Sequence, residues 1–187
     1  MTDKYVNQLA AATLPLVDSD YILVSRDGIN LNQTPASSVK DYVRSVYYTL
    51  AAQTNSSNTT FTDITSLSFP VVAGKNYFFQ ITLRYQAAAT TTGITFTATT
   101  PAGILTGRFS AIVAADGTAA GFNGAITSSG DTVTTTTVAT ANTDTVAIFN
   151  GIFNCTTTGT FIPQFRSSVN GSAVQVSIGS AGVVISS

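Results

Sequence analysis

Histidine, glutamate and tryptophan are all missing from this chain. Without histidine there is no Ser-His-Asp or Cys-His arrangement and no imidazole metal site. Without glutamate, acid–base work falls to aspartate alone. The one cysteine, Cys155, cannot form an internal disulfide, and its flanks in Phe-Asn-Cys-Thr-Thr-Thr-Gly carry no positive group to lower its pKa. It reads as a small buried or half-buried strand residue. No apolar run reaches the roughly 18 residues a membrane helix needs, so membrane insertion is not expected. The N-terminus has one early Lys and then a short apolar run broken by Thr13 and Pro15, which makes a poor secretory signal. Synthesis in a cytoplasm is expected. A net charge of -1 and a pI near 5.0 provide no field that would gather phosphates, so nucleic acid is not an expected partner.

The few charges present are unevenly placed. Nine of the seventeen lie in residues 1–46, leaving eight for the other 141. Two differently built pieces therefore share the chain. In the first, Tyr21 to Val24 lead to Asp27-Gly28, a hairpin signal because both central residues tolerate positive φ; a hairpin over 21–32 is expected. Thr34-Pro35-Ala36-Ser37-Ser38 then ends the strand and offers a hydroxyl cap. The apolar spacing Val39, Tyr42, Val43, Val46, Tyr47 predicts a helix over about 36–48, with Lys40, Asp41, Arg44 and Ser45 on its other side. A unit this small needs something to cover it, whether the second piece, other copies or a larger partner. Tyr21, Leu23, Val39, Tyr42, Val43, Val46 and Tyr47 are its candidate oligomer or attachment interface. Residues 1–50 thus form an expected attachment segment, 51–58 a linker around Gln53 to Asn58, and 59–187 a display domain.

The second piece reads as strand after strand. Asn76 to Gln86 alternates Phe79, Ile81, Leu83 and Tyr85 against Gln80, Thr82 and Arg84, the period of a half-buried strand. Further strands are expected at 93–100, 103–117, 132–140, 145–156, 159–168 and 173–185. Turn residues part them at a spacing of about ten, which argues an antiparallel β-sandwich, jelly-roll-like, over alternating βαβ units. The tract Thr134 to Thr137 is read as strand, since threonine suits a pleated surface. Asn170-Gly171 is the most convincing two-residue hairpin turn, whereas Asn150-Gly151 is read as a bulge inside one strand; Asn123-Gly124 could be a turn. Pro163 marks an edge or bulge.

Chemistry in the second piece is confined to Asp63, Asp116, Asp131 and Asp144. A glycosidase needs two carboxylates at a defined separation, but Asp116, Asp131 and Asp144 stand in Gly- or Asn-marked turns, where aspartate is used for local hydrogen bonds. Asp18-Ser19-Asp20 lacks the further ligands of a calcium loop. No catalytic residue, metal or cofactor is expected.

Three stretches carry a resemblance. LAAATLPLVDSDYILVSRDGINLNQTPASSVKDYV is similar to a segment at the start of tailed-bacteriophage virion proteins, with an Ala-Thr-Pro lead (Ala10 to Pro15), strands flanking Asp27-Gly28 and a helix starting near Ser37. VVAGKNYFFQITLRYQAAATTTGITFTATTPAG and GIFNCTTTGTFIPQFRSSVNGSAVQVSIGS resemble β-sandwich modules of phage structural proteins. The resemblance implies a non-enzymatic virion protein, a capsid-attached fibre or decoration protein that docks by its N-terminal part and projects its C-terminal part, commonly as a trimer. Its partners would be itself and a capsid or other virion protein. The alternative is a short tail-fibre or receptor-binding protein whose loops near Asp116-Gly117 or Asn123-Gly124 contact a host-surface glycan. Such sites usually want aromatic platforms, and with no Trp and no Tyr after Tyr85 the balance falls toward the head. A polysaccharide-degrading enzyme is the weakest reading.

Overall fold

The computed structural model describes residues 21–26, 30–35, 43–115 and 118–187. The chain divides into two compact units, Met1–Asp41 and Tyr42–Ser187, so the division falls ahead of the expected 51–58 linker. In the first unit β1 (Tyr21–Arg26) pairs antiparallel with β2 (Asn30–Pro35), from Tyr21 opposite Pro35 to Arg26 opposite Asn30. The hairpin expected over 21–32 thus runs on to Pro35. Val39 and Tyr42 lie outside the described residues, as do Asp27-Gly28 and Ser37.

The expected helix over 36–48 is corrected in its second half: β3 (Val43–Tyr48) is a strand. Val43, Val46, Tyr47 and Tyr48 are β-branched or aromatic and suit a pleated surface. A ladder partner also waits for them in β15 (Ala181–Ser186), with Val43 opposite Ser186 and Tyr48 opposite Ala181. The expected linker is corrected too. Gln53–Asn55 forms β4, and buried Asn55 donates from Nδ2 to Thr60 O and Thr62 Oγ1, both at 2.8 Å, while its Oδ1 accepts from Ser57 N at 2.7 Å.

The chain continues through β5 (Thr62–Asp63), a 3-10 turn at Thr65–Leu67, β6 (Phe69–Val71), β7 (Asn76–Ala87), β8 (Ile94–Thr99), β9 (Gly103–Ala115) and β10 (Thr118–Ile126). It finishes with β11 (Val133–Thr134), β12 (Thr145–Cys155), β13 (Gly159–Ser167), β14 (Val174–Val176) and β15. Among the described residues the second unit holds an eight-stranded and a five-stranded sheet, all pairs antiparallel. The larger runs β10-β9-β12-β7; the far edge of β7 is shared by β14 and β15, which β4 and β3 then extend. The smaller runs β11-β8-β13, with β6 and β5 along the other edge of β13. From β7 to β14 the chain passes repeatedly between the two sheets.

The sheets face each other across an aromatic core. Phe96 of β8 stacks on Phe109 of β9 at 4.8 Å and tilts against Phe149 of β12 at 5.0 Å. Phe161 of β13 stacks on Phe69 at 4.7 Å and meets Phe79 of β7 at 5.0 Å and Phe153 of β12 at 5.8 Å. Each such pair adds about 0.5–1.5 kcal/mol beyond the area it buries. This is a β-sandwich, two antiparallel sheets packed face to face over one core.

Local departures from the expected strands have identifiable causes. Asn150-Gly151 is no bulge: the ladder passes through it, Asn150 opposite Gln80 and Arg108, Gly151 opposite Phe79 and Gly107. Asn123-Gly124 lies inside β10, opposite Ser110 and Phe109. Asn170-Gly171 is a turn, with Gly171 at φ +79°, but it carries the chain from β13 in one sheet to β14 in the other and makes no hairpin. The threonine tract keeps strand structure only at Val133–Thr134. Beyond it the buried Thr135 hydroxyl accepts from Ile94 N at 2.9 Å, a side chain standing in for the ladder. Pro163 sits between the stretch of β13 paired with β6 and the stretch paired with β5, where no ladder N–H is needed, and its carbonyl accepts from Ile64 N at 2.8 Å.

Candidate interaction surface

Alternation in β7 decides what the larger sheet shows to solvent. Tyr77, Phe79, Ile81, Leu83 and Tyr85 turn into the core, and the opposite phase, Phe78 to Arg84, turns out. Register then aligns the outward residues of the neighbouring strands into rows. One row runs Arg44, Ile185, Phe78, Ile152, Thr106; the next runs Val46, Val183, Gln80, Asn150, Arg108. Toward the other end, Tyr48 stands opposite Ala181 and Val146 opposite Arg84. Large apolar side chains are exposed across this face: Ile104 and Ile112 at 67%, Tyr48 at 57%, Val146 at 50%, Ile152 at 49%, Phe78 at 47% and Val46 at 42%.

Two shallow depressions mark the same face. One of about 340 Å³ is lined by Arg44, Phe78, Gln80, Thr82, Ala181, Val183 and Ile185. The other, of about 360 Å³, lies between Ile112, Val146 and the segment Ala139 to Thr145. Neither holds a convergent set of titratable groups. Among the described residues, charge on the face is limited to Arg44, Arg84 and Arg108, with Asp144 at its border. Arg84 Nη2 donates to Asp144 Oδ2, while Ser177 Oγ donates to Asp144 Oδ1. Behind this pair, Thr49 Oγ1 donates to the carbonyls of Ser177 at 2.9 Å and Ser180 at 3.2 Å, and Ser180 Oγ accepts from Arg84 N at 2.9 Å. This polar knot fills the break between β14 and β15, where Gly179 takes φ +84°.

Among the described residues Asp63, Asp131 and Asp144 each have their own hydrogen-bond partners. Asp63, in β5, accepts from Gln164 Nε2 through Oδ1. Asp131 Oδ2 accepts from Thr127 N at 2.9 Å, Ser128 N at 2.8 Å and Thr127 Oγ1 at 3.1 Å, the local turn use expected of it. These backbone donors hold its carboxyl below the usual aspartate range. Asp144 departs from the local turn bonding expected of it, since its partners Arg84 and Ser177 are distant in sequence. Asp116 lies outside the described residues. Among the described residues no three His, Cys, Asp or Glu side chains gather as a metal site would require. No helix among them is long and apolar enough to cross a membrane.

Of the candidate interface residues, Tyr21 and Leu23 fall in β1 and Val43 in β3. Val46 is exposed on the outer face, whereas Tyr47 projects to the opposite side and packs on Phe69 at 6.0 Å between ring centres. Val46 and Tyr47 thus lie on opposite faces of β3. Sequence reasoning missed Phe78, Ile104, Ile112, Val146 and Ile152 as surface residues. Their signal was a large apolar residue in the solvent phase of an alternating strand, as at Phe78-Phe79.

The fold and its surface define an antiparallel β-sandwich with an apolar, charge-poor outer sheet face. No family model matches the chain, and no curated protein matches it. Among solved structures, the VP2 subviral particle of infectious bursal disease virus aligns with 89% of this chain and 44% of its own, at 13% identity and a TM-score of 0.23. The structure of the Gx strain of the same virus aligns over 89% and 45%, at 13% identity and a TM-score of 0.18. The chain spans less than half the length of these proteins, and likenesses at such scores carry no argument about its function.

Proposed function

We propose that the chain is a non-enzymatic structural component of a bacteriophage virion, a capsid-attached fibre or decoration protein. Its N-terminal segment docks on a capsid or other virion protein, and its jelly-roll-like β-sandwich projects outward as part of a homotrimer. The observation that carries the reading is the exposed apolar face of the eight-stranded sheet, on a unit with only nine charged side chains in residues 42–187. Small soluble domains carry charge on roughly 25–35% of their surface, and large exposed apolar patches mark interaction sites. A sandwich with this face is suited to an assembly, and among the described residues Asp63, Asp131 and Asp144 are each engaged by separate partners. The resemblance of residues 9–43 to phage attachment segments supplies the kind of assembly.

The tail-fibre reading, with a host-surface glycan as ligand, has less behind it. Asn123-Gly124 is ladder-bound within β10, and Phe61, an aromatic platform in type, lies under the Arg166 guanidinium at 4.8 Å. Copy number per purified particle, measured by quantitative mass spectrometry against the major capsid protein, tests both. Scores or hundreds of copies fit the head lattice, whereas a few to about two dozen fit the tail or portal. Absence from particles would end the virion reading.

A further inference from the structure

We infer that the outer face of the eight-stranded sheet is covered by a second copy of this chain, with the row Ile185, Phe78, Ile152 and Thr106 at the contact. Apolar exposure is the first argument. Seven large apolar side chains, between 42% and 67% exposed, are distributed across the face. A standard interface buries roughly 800 Å² per partner and sets apolar side chains of this kind among polar ones.

The chemistry of the polar residues selects the occupant. Gln80 and Asn150 lie side by side in the middle of the face, flanked by the hydroxyls of Thr82 and Thr106. Amides and hydroxyls carry donor and acceptor together, so a surface built from them can satisfy a copy of itself. Charges cannot do this, and the face has few. Arg84 is already held by Asp144, and Arg44 and Arg108 stand on different rows and strands. A strongly acidic partner would find too little positive charge for recognition, whereas a neutral, apolar and amide-bearing partner describes the face itself. Closed association of copies also removes this surface from water without a foreign protein.

This deepens the structural-component reading by naming which surface meets another copy, but its test needs no particles. The mass of the isolated full-length chain is measured by light scattering and native mass spectrometry across a dilution series. The wild type is expected at a multiple of the single-chain mass. Phe78→Asp is expected to return it to one chain with an unchanged far-ultraviolet circular dichroism spectrum. Thr106→Arg, which adds charge to an exposed position without removing packing, is expected to do the same and carries the test if Phe78→Asp misfolds. Val169→Asp, in the exposed β13–β14 turn, should leave the mass of the oligomer unchanged.

A wild type that stays monomeric throughout overturns the inference, as does an oligomer that Thr106→Arg leaves intact. A monomer whose Thr106→Arg variant no longer enters particles would assign the face to a foreign virion protein, refuting self-association while leaving the virion reading in place. An oligomer sensitive to Thr106→Arg but absent from particles would do the reverse.

Discussion

Replacing Gly151 by alanine adds one methyl group at the centre of the larger sheet, where β12 runs between β7 and β9. A Cβ built there collides with Thr106 O and stands 2.8 Å from Gly107 Cα and 2.9 Å from Phe79 Cζ. The first two are backbone atoms of β9, fixed by the ladder that sets Gly151 opposite Gly107, and the Phe79 ring is locked against Phe149 and Phe161. Neither side can yield without separating strands. Overpacking of this kind costs about 1–3 kcal/mol, and the upper end applies because backbone is struck; the lower chain entropy of alanine offsets about 0.5–1 kcal/mol. A net loss of about 2 kcal/mol lowers the melting temperature of a unit this size by roughly 4–8 °C. Gly121→Ala in β10 is the control, since its Cβ would meet nothing nearer than Asn123 Nδ2 at 3.7 Å. It should be neutral or stabilise by up to about 1 kcal/mol. Thermal and urea unfolding followed by circular dichroism at one fixed protein concentration compares them. If Gly151→Ala melts within about 1 °C of wild type, the close approach of β9 to β12 at this point is wrong.

Thr49→Val keeps shape but strips the buried hydroxyl that serves the Ser177 and Ser180 carbonyls; urea unfolding should show a loss of about 1–3 kcal/mol. Tyr85→Phe should act in the opposite sense. The Tyr85 hydroxyl is buried without a hydrogen bond of good geometry, and burial pushes its pKa up despite the opposing influence of Thr135. Its removal is expected to be neutral or to stabilise by up to about 1 kcal/mol in the same assay. Asp131→Ala tests a pH dependence. Because the folded carboxyl titrates below its unfolded value near 3.8, its contribution is present above that pH and is lost as pH falls through the folded pKa. The variant should therefore melt below wild type at neutral pH, and the gap should narrow as the pH falls below the usual aspartate range; a gap that stays constant on acidification would refute the carboxylate as its source.

Where one face of a strand is buried and the other wet, alternation made the fold readable, as in Asn76–Ala87. It failed where other physics set the structure. In β10 two glycines and small side chains leave little pattern, and the strand exists because it pairs along β9 from Ile126 opposite Gly107 to Thr118 opposite Ala115. The 173–185 stretch reads as one strand, yet the polar knot around Thr49 and Ser180 breaks it in two, through hydrogen bonds to residues more than 90 positions away. At Val43 to Tyr48 a helical stripe and a strand share most of their apolar positions over so short a span. A tertiary partner, β15, arbitrates between them.

The interaction surface was legible only one residue at a time. Phe78, Ile104, Val146 and Ile152 each look like an ordinary exception to alternation, and a singly exposed apolar residue needs no explanation. What turns them into a surface is register. Ile152 is brought beside Phe78 because Asn150 pairs with Gln80, and that pairing holds because Gly151, opposite Phe79 on β7 and Gly107 on β9, leaves room for the Phe79 ring. A slip of β12 by one residue against β7 would send Ile152 to the core side and Phe153 to solvent. The same glycine that the core requires thus also fixes which apolar side chains meet outside. A substitution at Gly151 that shifts the strands should disturb both stability and self-association, whereas Thr106→Arg should disturb association alone.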